Sequence, residues 1–219
     1  MLISSDKAVR PTNIMGVSKR ISELIFLNEN INSKINDTIF SIVRFGNVLN
    51  SSGSVVPFFK TQIKNGGPIT ITNKKITRYF MTIKEAAELV IQSSSLANGG
   101  EIFLLEMGDP IKIIDLAKQM ILLSGLKLKD KNNKNGDIEI KEVGLRPGEK
   151  LYEELLIDNH STKTIHPLIY KSQEPLVEKD FLSSNINKLI DSLLKYEEKN
   201  ILSYLKVLVP EWKQYMNKG

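Results

Sequence analysis

The chain has 219 residues, 41% of them hydrophobic, and 30 Lys and Arg against 25 Asp and Glu give a formal charge of +5. That length and apolar content suit one sizeable core or a domain with a small lobe, and they exclude a disordered or fibrous protein. Zero cysteines exclude disulfides and thiolate metal sites and fit a reducing compartment. No apolar run approaches the roughly 20 residues that span a bilayer, and residues 1–11 lack the apolar core of a signal peptide. The basic residues are spread along the chain, concentrated only at 127–134 (KLKDKNNK), so most of them read as solvated surface rather than a nucleic-acid face.

The opening Leu2-Ile3-Ser4 reads as the end of a buried strand running into a polar loop. From Pro11 the apolar residues Ile14, Val17, Ile21, Leu24 and Ile25 recur at helical spacing, with Pro11 and Thr12 suited to a first turn. Residues 38–45 (TIFSIVRF) are β-branched and aromatic, a buried strand that ends at Gly46. A Gly/Ser loop leads into a short helix around Phe58, Phe59 and Ile63, which Gly66-Gly67-Pro68 breaks before a strand at 69–72. Thr82 and Glu85 stand at capping-box spacing at the head of a helix over 83–96, and Asn98-Gly99-Gly100 ends it. A strand at 101–107, a helix at 111–123 and a strand at 138–143 follow, then a short helix through 155 and a helical, Lys/Leu-rich tail from about 185. Alternating strands and helices predict an α/β fold with a doubly wound parallel sheet and a smaller lobe. The expected division is a core over 1–46, an interleaved lobe with the last core strand and helix over 47–156, and the tail over 157–219.

In doubly wound sheets the ligand crevice lies off the carboxyl ends of the strands, which puts Ser5, Asp6 and Lys7 at its floor. A hydroxyl, a carboxyl and an amine side by side supply a hydrogen-bond donor, a general acid and a general base. Lys19 lies one helical turn beyond Met15. The layout resembles the extended short-chain dehydrogenase/reductase family, which carries Tyr-x-x-x-Lys at this place. Met15 stands where the tyrosine belongs, and a thioether cannot transfer a proton. The string SDKAVRPTNIMGVSKR is similar to a Met-containing subgroup, the long membrane-anchored UDP-N-acetylglucosamine 4,6-dehydratases of polysaccharide synthesis. That resemblance implies roles in catalysis for Ser5 on the sugar 4-hydroxyl, Asp6 as acid to the departing 6-hydroxyl and Lys7 as base at C5. It also implies that Lys19 bonds the nicotinamide ribose.

Three further segments resemble the same subgroup. RFGNVLNSSGSVVPFF, residues 44–59, joins a strand end to a helix start and suits a diphosphate; the resemblance puts Asn47 on the nucleotide sugar, and Asn50 replaces a frequent glycine. In TRYFMT, 77–82, an arginine fork suits a phosphate, so Arg78 is expected on the diphosphate, with a surface salt bridge as the other use of such a residue. In GLRPGEK, 144–150, the resemblance implies that Arg146 reaches the pyrophosphate or ribose and that Glu149 contacts the nucleoside or orients that arginine. His160 and His166 lack a partner at metal-ligand spacing and read as surface or capping residues, so no metal is expected.

The resemblance implies NAD as cofactor and a UDP-sugar as substrate. NAD needs a Gly-rich turn, and no Gly-x-Gly-x-x-Gly occurs, so a truncated chain is expected, with an exposed sheet edge and either a homo-oligomer or a complementing NAD-binding polypeptide as partner. The expected location is the cytoplasm, at the inner face of the membrane if a longer protein is anchored there. A UDP-sugar 4-epimerase and a non-catalytic UDP-sugar-binding module are the other readings.

Overall fold

The computed structural model describes residues 1–32, 38–154 and 161–213, so His160 and Leu155 lie outside the described residues. In chain order the elements are β1 (Leu2–Ile3), a 3-10 turn (Asp6–Ala8), α1 (Ile14–Asn32), β2 (Ile42–Arg44), β3 (Asn47–Val48), α2 (Val55–Lys64), β4 (Ile69–Ile71), β5 (Thr77–Arg78) and β6 (Phe80–Met81). After these come α3 (Ile83–Ser95), β7 (Ile102–Leu105), β8 (Ile111–Lys112), α4 (Ile113–Leu123), β9 (Leu128–Lys129), β10 (Ile138–Glu142), β11 (Thr162–Lys163), β12 (Ile169–Ser172), α5 (Lys179–Leu194) and α6 (Glu198–Leu208). They form two compact units, one of Met1–Phe45, Glu88–Glu106 and Glu154–Gly219, the other of Gly46–Ala87 and Met107–Glu153.

The first unit is built on a sheet of order β1-β2-β7-β12-β11. β1, β2 and β7 run parallel, with Leu2 opposite Ile42 and Ile42 opposite Ile102. β12 pairs antiparallel with β7, and β11 antiparallel with β12. Ile42, Val43, Ile102 and Phe103 are completely buried, the continuous apolar run of a strand covered on both faces. Each such side chain contributes about 1.5–3 kcal/mol over its exposed state. α1 starts at Ile14 rather than at Pro11, because the Asn13 side chain accepts a hydrogen bond from the Gly16 amide at 2.9 Å and caps the helix there. Val17, Ile21 and Leu24 of α1 pack with Leu182 and Leu189 of α5, Leu205 and Leu208 of α6, and Trp212. The tail is helical from Lys179, and the hairpin of β11 and β12 precedes it.

The second unit holds the parallel sheet β4-β10-β9. Its core joins Val56, Phe59 and Ile63 of α2 to Ile69 and Ile71, and to Ala117, Met120 and Ile121 of α4. Gly136 is required here, since a Cβ would overlap the Leu128 carbonyl. α4 starts at Ile113, two residues later than expected, because Ile111 and Lys112 pair with Arg78 and Thr77 in a short antiparallel ladder. Thr82 and Glu85 form the expected capping box of α3: the Thr82 amide donates to Glu85 at 2.7 Å and the Glu85 amide to the Thr82 hydroxyl at 3.1 Å. Those bonds hold the Glu85 carboxyl below its ordinary value. The short helix expected after 144–150 is absent from residues 144–154, which are loop and turn. Gly144 and Gly148 there have φ of 91° and 71°, the left-handed region that interrupts a helix.

Candidate active site

β1 ends at Ile3, and the chain turns at once through Ser5, Asp6 and Lys7. The turn is pinned to β2, with the Ser4 amide donating to Val43 at 2.8 Å and the Asp6 amide to Phe45 at 3.2 Å. Ser5 caps it by accepting from the Lys7 amide at 3.2 Å, while its hydroxyl donates to Asp6 Oδ1 at 2.8 Å. Lys7 Nζ donates to the same Oδ1, also at 2.8 Å. The hydroxyl and the amine that flank Asp6 in the sequence therefore converge on one of its carboxylate oxygens. Asp6 is fully buried, and its other oxygen, Oδ2, is buried with no protein hydrogen-bond partner. An unpaired buried carboxylate oxygen is costly, and a donor from a bound molecule would relieve it.

Met15 and Lys19 are both exposed on the first turns of α1. Gly16 lets this helix lie directly on the turn, because a Cβ at Gly16 would overlap the Lys7 carbonyl oxygen and stand 2.9 Å from the Pro11 Cβ. Lys19 is the residue that the resemblance puts at the ribose end of a dinucleotide. The pyrophosphate end has no Gly-rich candidate in this sequence.

In the second unit Asn47, Arg78, Arg146 and Glu149 line one cavity of about 480 Å³, together with Ser54, Thr72 and the apolar side chains of Phe58, Ile71 and Ile113. A mixed lining of this size suits a small polar ligand with an apolar face. Ser54, at the start of α2, has a buried hydroxyl without a partner. Asn50 adopts φ of 60°, the left-handed conformation that asparagine tolerates better than most residues. The two arginines differ. Arg78 is 8% exposed and donates to the carbonyls of Thr77 at 2.8 Å, Lys150 at 2.7 Å and Leu151 at 3.2 Å, so its fork holds the 150–151 segment in place. Arg146 is exposed. Glu149 is fixed by the Thr72 hydroxyl at 3.0 Å and by the Arg146 amide at 3.1 Å.

A group of charges that sequence reasoning missed lies under the turn. Arg44 and Glu23 are completely buried and paired bidentately, Nε to Oε1 at 2.7 Å and Nη2 to Oε2 at 2.6 Å. Glu174 joins Arg44 at 2.7 Å and Arg20 at 2.5 Å, and Arg20 also reaches Glu23 and Glu211, each at 3.1 Å. Burial by itself lowers the Arg44 pKa, but the bonds and charges of Glu23 and Glu174 outweigh it and leave the guanidinium more firmly protonated than usual. Burial likewise raises Glu174, and the charges of Arg44 and Arg20 bring it below the ordinary carboxylate value. The available signal was a charged residue inside each of two apolar patterns, Arg44 in a strand and Glu23 between Ile21 and Leu24.

Among the described residues no group of three or more His, Asp or Glu could hold a metal ion, and no helix is long and apolar enough to cross a membrane. Residues 1–174 match the family model described as polysaccharide biosynthesis protein. The capsular polysaccharide biosynthesis protein CapD of Staphylococcus aureus is 54% identical over 167 residues, which are 76% of this chain and 26% of that protein. A UDP-glucose 4-epimerase of Rickettsia rickettsii is 35% identical over 74% of this chain and 45% of its own length. The crystal structure of Pen from Bacillus thuringiensis superposes with a TM-score of 0.69 at 36% identity, covering 80% of this chain and 53% of that one. The chain thus spans between about a quarter and about a half of the length of these relatives. With sequence identity on this scale and a shared α/β fold, the chain belongs to the polysaccharide biosynthesis protein family.

Proposed function

We propose that this chain carries the acid–base turn and the nucleotide-sugar pocket of an NAD-dependent 4,6-dehydratase that converts UDP-N-acetylglucosamine to a UDP-4-keto-6-deoxy-N-acetylhexosamine. The observation that carries this reading is the Asp6 carboxylate, fully buried, bonded through Oδ1 to both Ser5 and Lys7 and open at Oδ2. Elimination of water across C5 and C6 needs an acid at the leaving 6-hydroxyl and a base at C5. Moving one proton from Lys7 Nζ to Asp6 Oδ1 over 2.8 Å turns the ion pair into a carboxylic acid and an amine without changing the net charge. Lys7 then takes the C5 proton, Asp6 protonates the departing hydroxyl, and Ser5 bonds the 4-hydroxyl. NAD, when bound, would supply the hydride acceptor at C4 and the hydride donor at C6; the 4-hydroxyl proton leaves through Ser5 to solvent as C4 is oxidised, Lys7 returns a proton to C5 as C6 is reduced, and solvent restores the proton of the pair. Lys19 would hold its ribose, and Met15, unable to move a proton, leaves that work to the turn. In the cavity, Arg146 would meet the diphosphate, with Asn47 on the sugar and Glu149 on the nucleoside. The location proposed for this reaction is the cytoplasm, at the inner face of the membrane if a longer protein is anchored there.

The test adds the purified chain to UDP-N-acetylglucosamine and NAD⁺, with and without the NAD-binding half of a relative, and follows the 4-keto sugar by NMR. A 4-keto-6-deoxy product that Asp6→Asn lowers by at least about a hundredfold supports the reading. The Rickettsia relative favours one other chemistry, 4-epimerisation: a C4 epimer that keeps its 6-hydroxyl would establish that instead. Binding of UDP with no turnover in either mixture would leave a binding module.

A further inference from the structure

We infer that Glu23 is a positioning residue for the acid–base turn, acting through Ser4. The inference rests on the reading of Ser5, Asp6 and Lys7 as the reacting groups. The Ser4 hydroxyl donates to Glu23 Oε1 at 2.6 Å, and both residues are buried. Ser4 immediately precedes the turn, and Glu23 follows Met15 and Lys19 at intervals of four along α1. One side-chain bond thus joins the strand end that carries the acid and base to the helix that carries Met15 and Lys19. Gly16 makes the second junction, against the Lys7 carbonyl. Two points of attachment fix both the separation and the rotation of helix and turn.

Glu23 is itself held rigidly. Its Oε1 accepts from Ser4 and from Arg44 Nε, and its Oε2 from Arg44 Nη2 and Arg20. Burying two arginines with Glu23 and Glu174 brings little net stability, because desolvation offsets most of the attraction. What such a cluster supplies is one geometry: a planar fork that accepts a carboxylate in a single orientation. Here that orientation aims the remaining lone pair of Oε1 at Ser4. Ligands of Glu23 and Arg44 come from α1, β2 and the segment at Glu174, so the turn is referenced to the sheet and to the chain beyond β12.

The test measures amide hydrogen exchange by NMR on the full chain, without substrate. The amides of Asp6 and Ala8 bond to Phe45 and Ser5 carbonyls, and that of Lys7 to the Ser5 hydroxyl, so all three report the turn. Ser4→Ala is expected to speed their exchange by about tenfold or more while the amides of β7 keep their rates, and Ser4→Thr restores the slow exchange. Glu23→Gln is expected to match Ser4→Ala; should it fail to fold, Ser4→Ala decides alone. Exchange at residues 6–8 that stays within about twofold of the unsubstituted chain overturns the inference, as does acceleration spread equally through β2 and β7, which is loss of stability and not of position. In the turnover assay above, Ser4→Ala should lower kcat about tenfold at constant KM, and an unchanged kcat with a loosened turn also overturns it. Absence of turnover in the unsubstituted protein would count against the dehydratase reading and leave the exchange result standing.

Discussion

Gly16 sets how closely α1 approaches the Lys7 carbonyl, so Gly16→Ala must push helix and turn apart. The expected cost is about 1–3 kcal/mol in a urea titration, the range for forcing a methyl into a packed contact, even though alanine favours a helix more than glycine does. A neutral or stabilising result would show that the contact yields. The two pocket arginines separate by a different experiment. Arg146→Ala is expected to weaken UDP binding about tenfold to a hundredfold in calorimetry with an unchanged unfolding midpoint, as for loss of one charged hydrogen bond. Arg78→Ala removes three carbonyl contacts and is expected to lower the midpoint as well. Ser5, Asp6 and Lys7 were legible in the sequence because they are contiguous, and their shared turn brings them together without help from the rest of the chain. Glu23 and Arg44 were not: the pair is 21 residues apart and Glu174 lies another 130 beyond Arg44, so only the folded sheet joins them.

At the level of elements, legibility followed the range of the forces involved. The capping box of α3 is local, and Thr82 and Glu85 were readable from spacing alone. Thr82→Ala should destabilise the second unit by about 1 kcal/mol, seen as faster amide exchange in the first turn of α3. No change there would mean that packing, not the cap, starts this helix. Strand ends were less legible because pairing sets them. Of residues 38–45 only Ile42–Arg44 are strand, since those three find partners on β7. β3, β5 and β8 consist of two residues each, below what periodicity can show, yet they align Asn47 and Arg78 along the cavity. The helix expected near 146–155 fails for a local reason that was visible, two glycines around a proline, which favour the turn seen at 146–149 over a helical start.

At the scale of the whole molecule, the buried carboxyls of the first unit give that unit an acid response. The carboxyls of Glu174 and Glu101 both lie in the first unit and both sit below their ordinary value. Burial raises each, but Arg44 and Arg20 outweigh it for Glu174, and the Ser41 hydroxyl with the Gly99 and Asn98 amides outweighs it for Glu101. A carboxyl depressed on folding contributes stability that is present above the unfolded value, about 4.3, and is lost as pH falls through the lower folded value. In the second unit Glu85 is also depressed, as an exposed cap, and the Glu153 side chain is buried in ion pairs with Arg78 and Lys150. Acidification below about pH 4 should therefore loosen the first unit. Trp212, the single tryptophan, is 2% exposed and packs with α1, α5 and α6, so its fluorescence reports that unit alone. The expected outcome is a red shift of Trp212 emission on acidification. Glu174→Gln should shift the whole Trp212 transition to lower denaturant at neutral pH and flatten its pH dependence, because the proton that acid would add there has no site to occupy. A transition equally steep in the variant would place the acid response in other carboxyls and leave the buried cluster without a part in it.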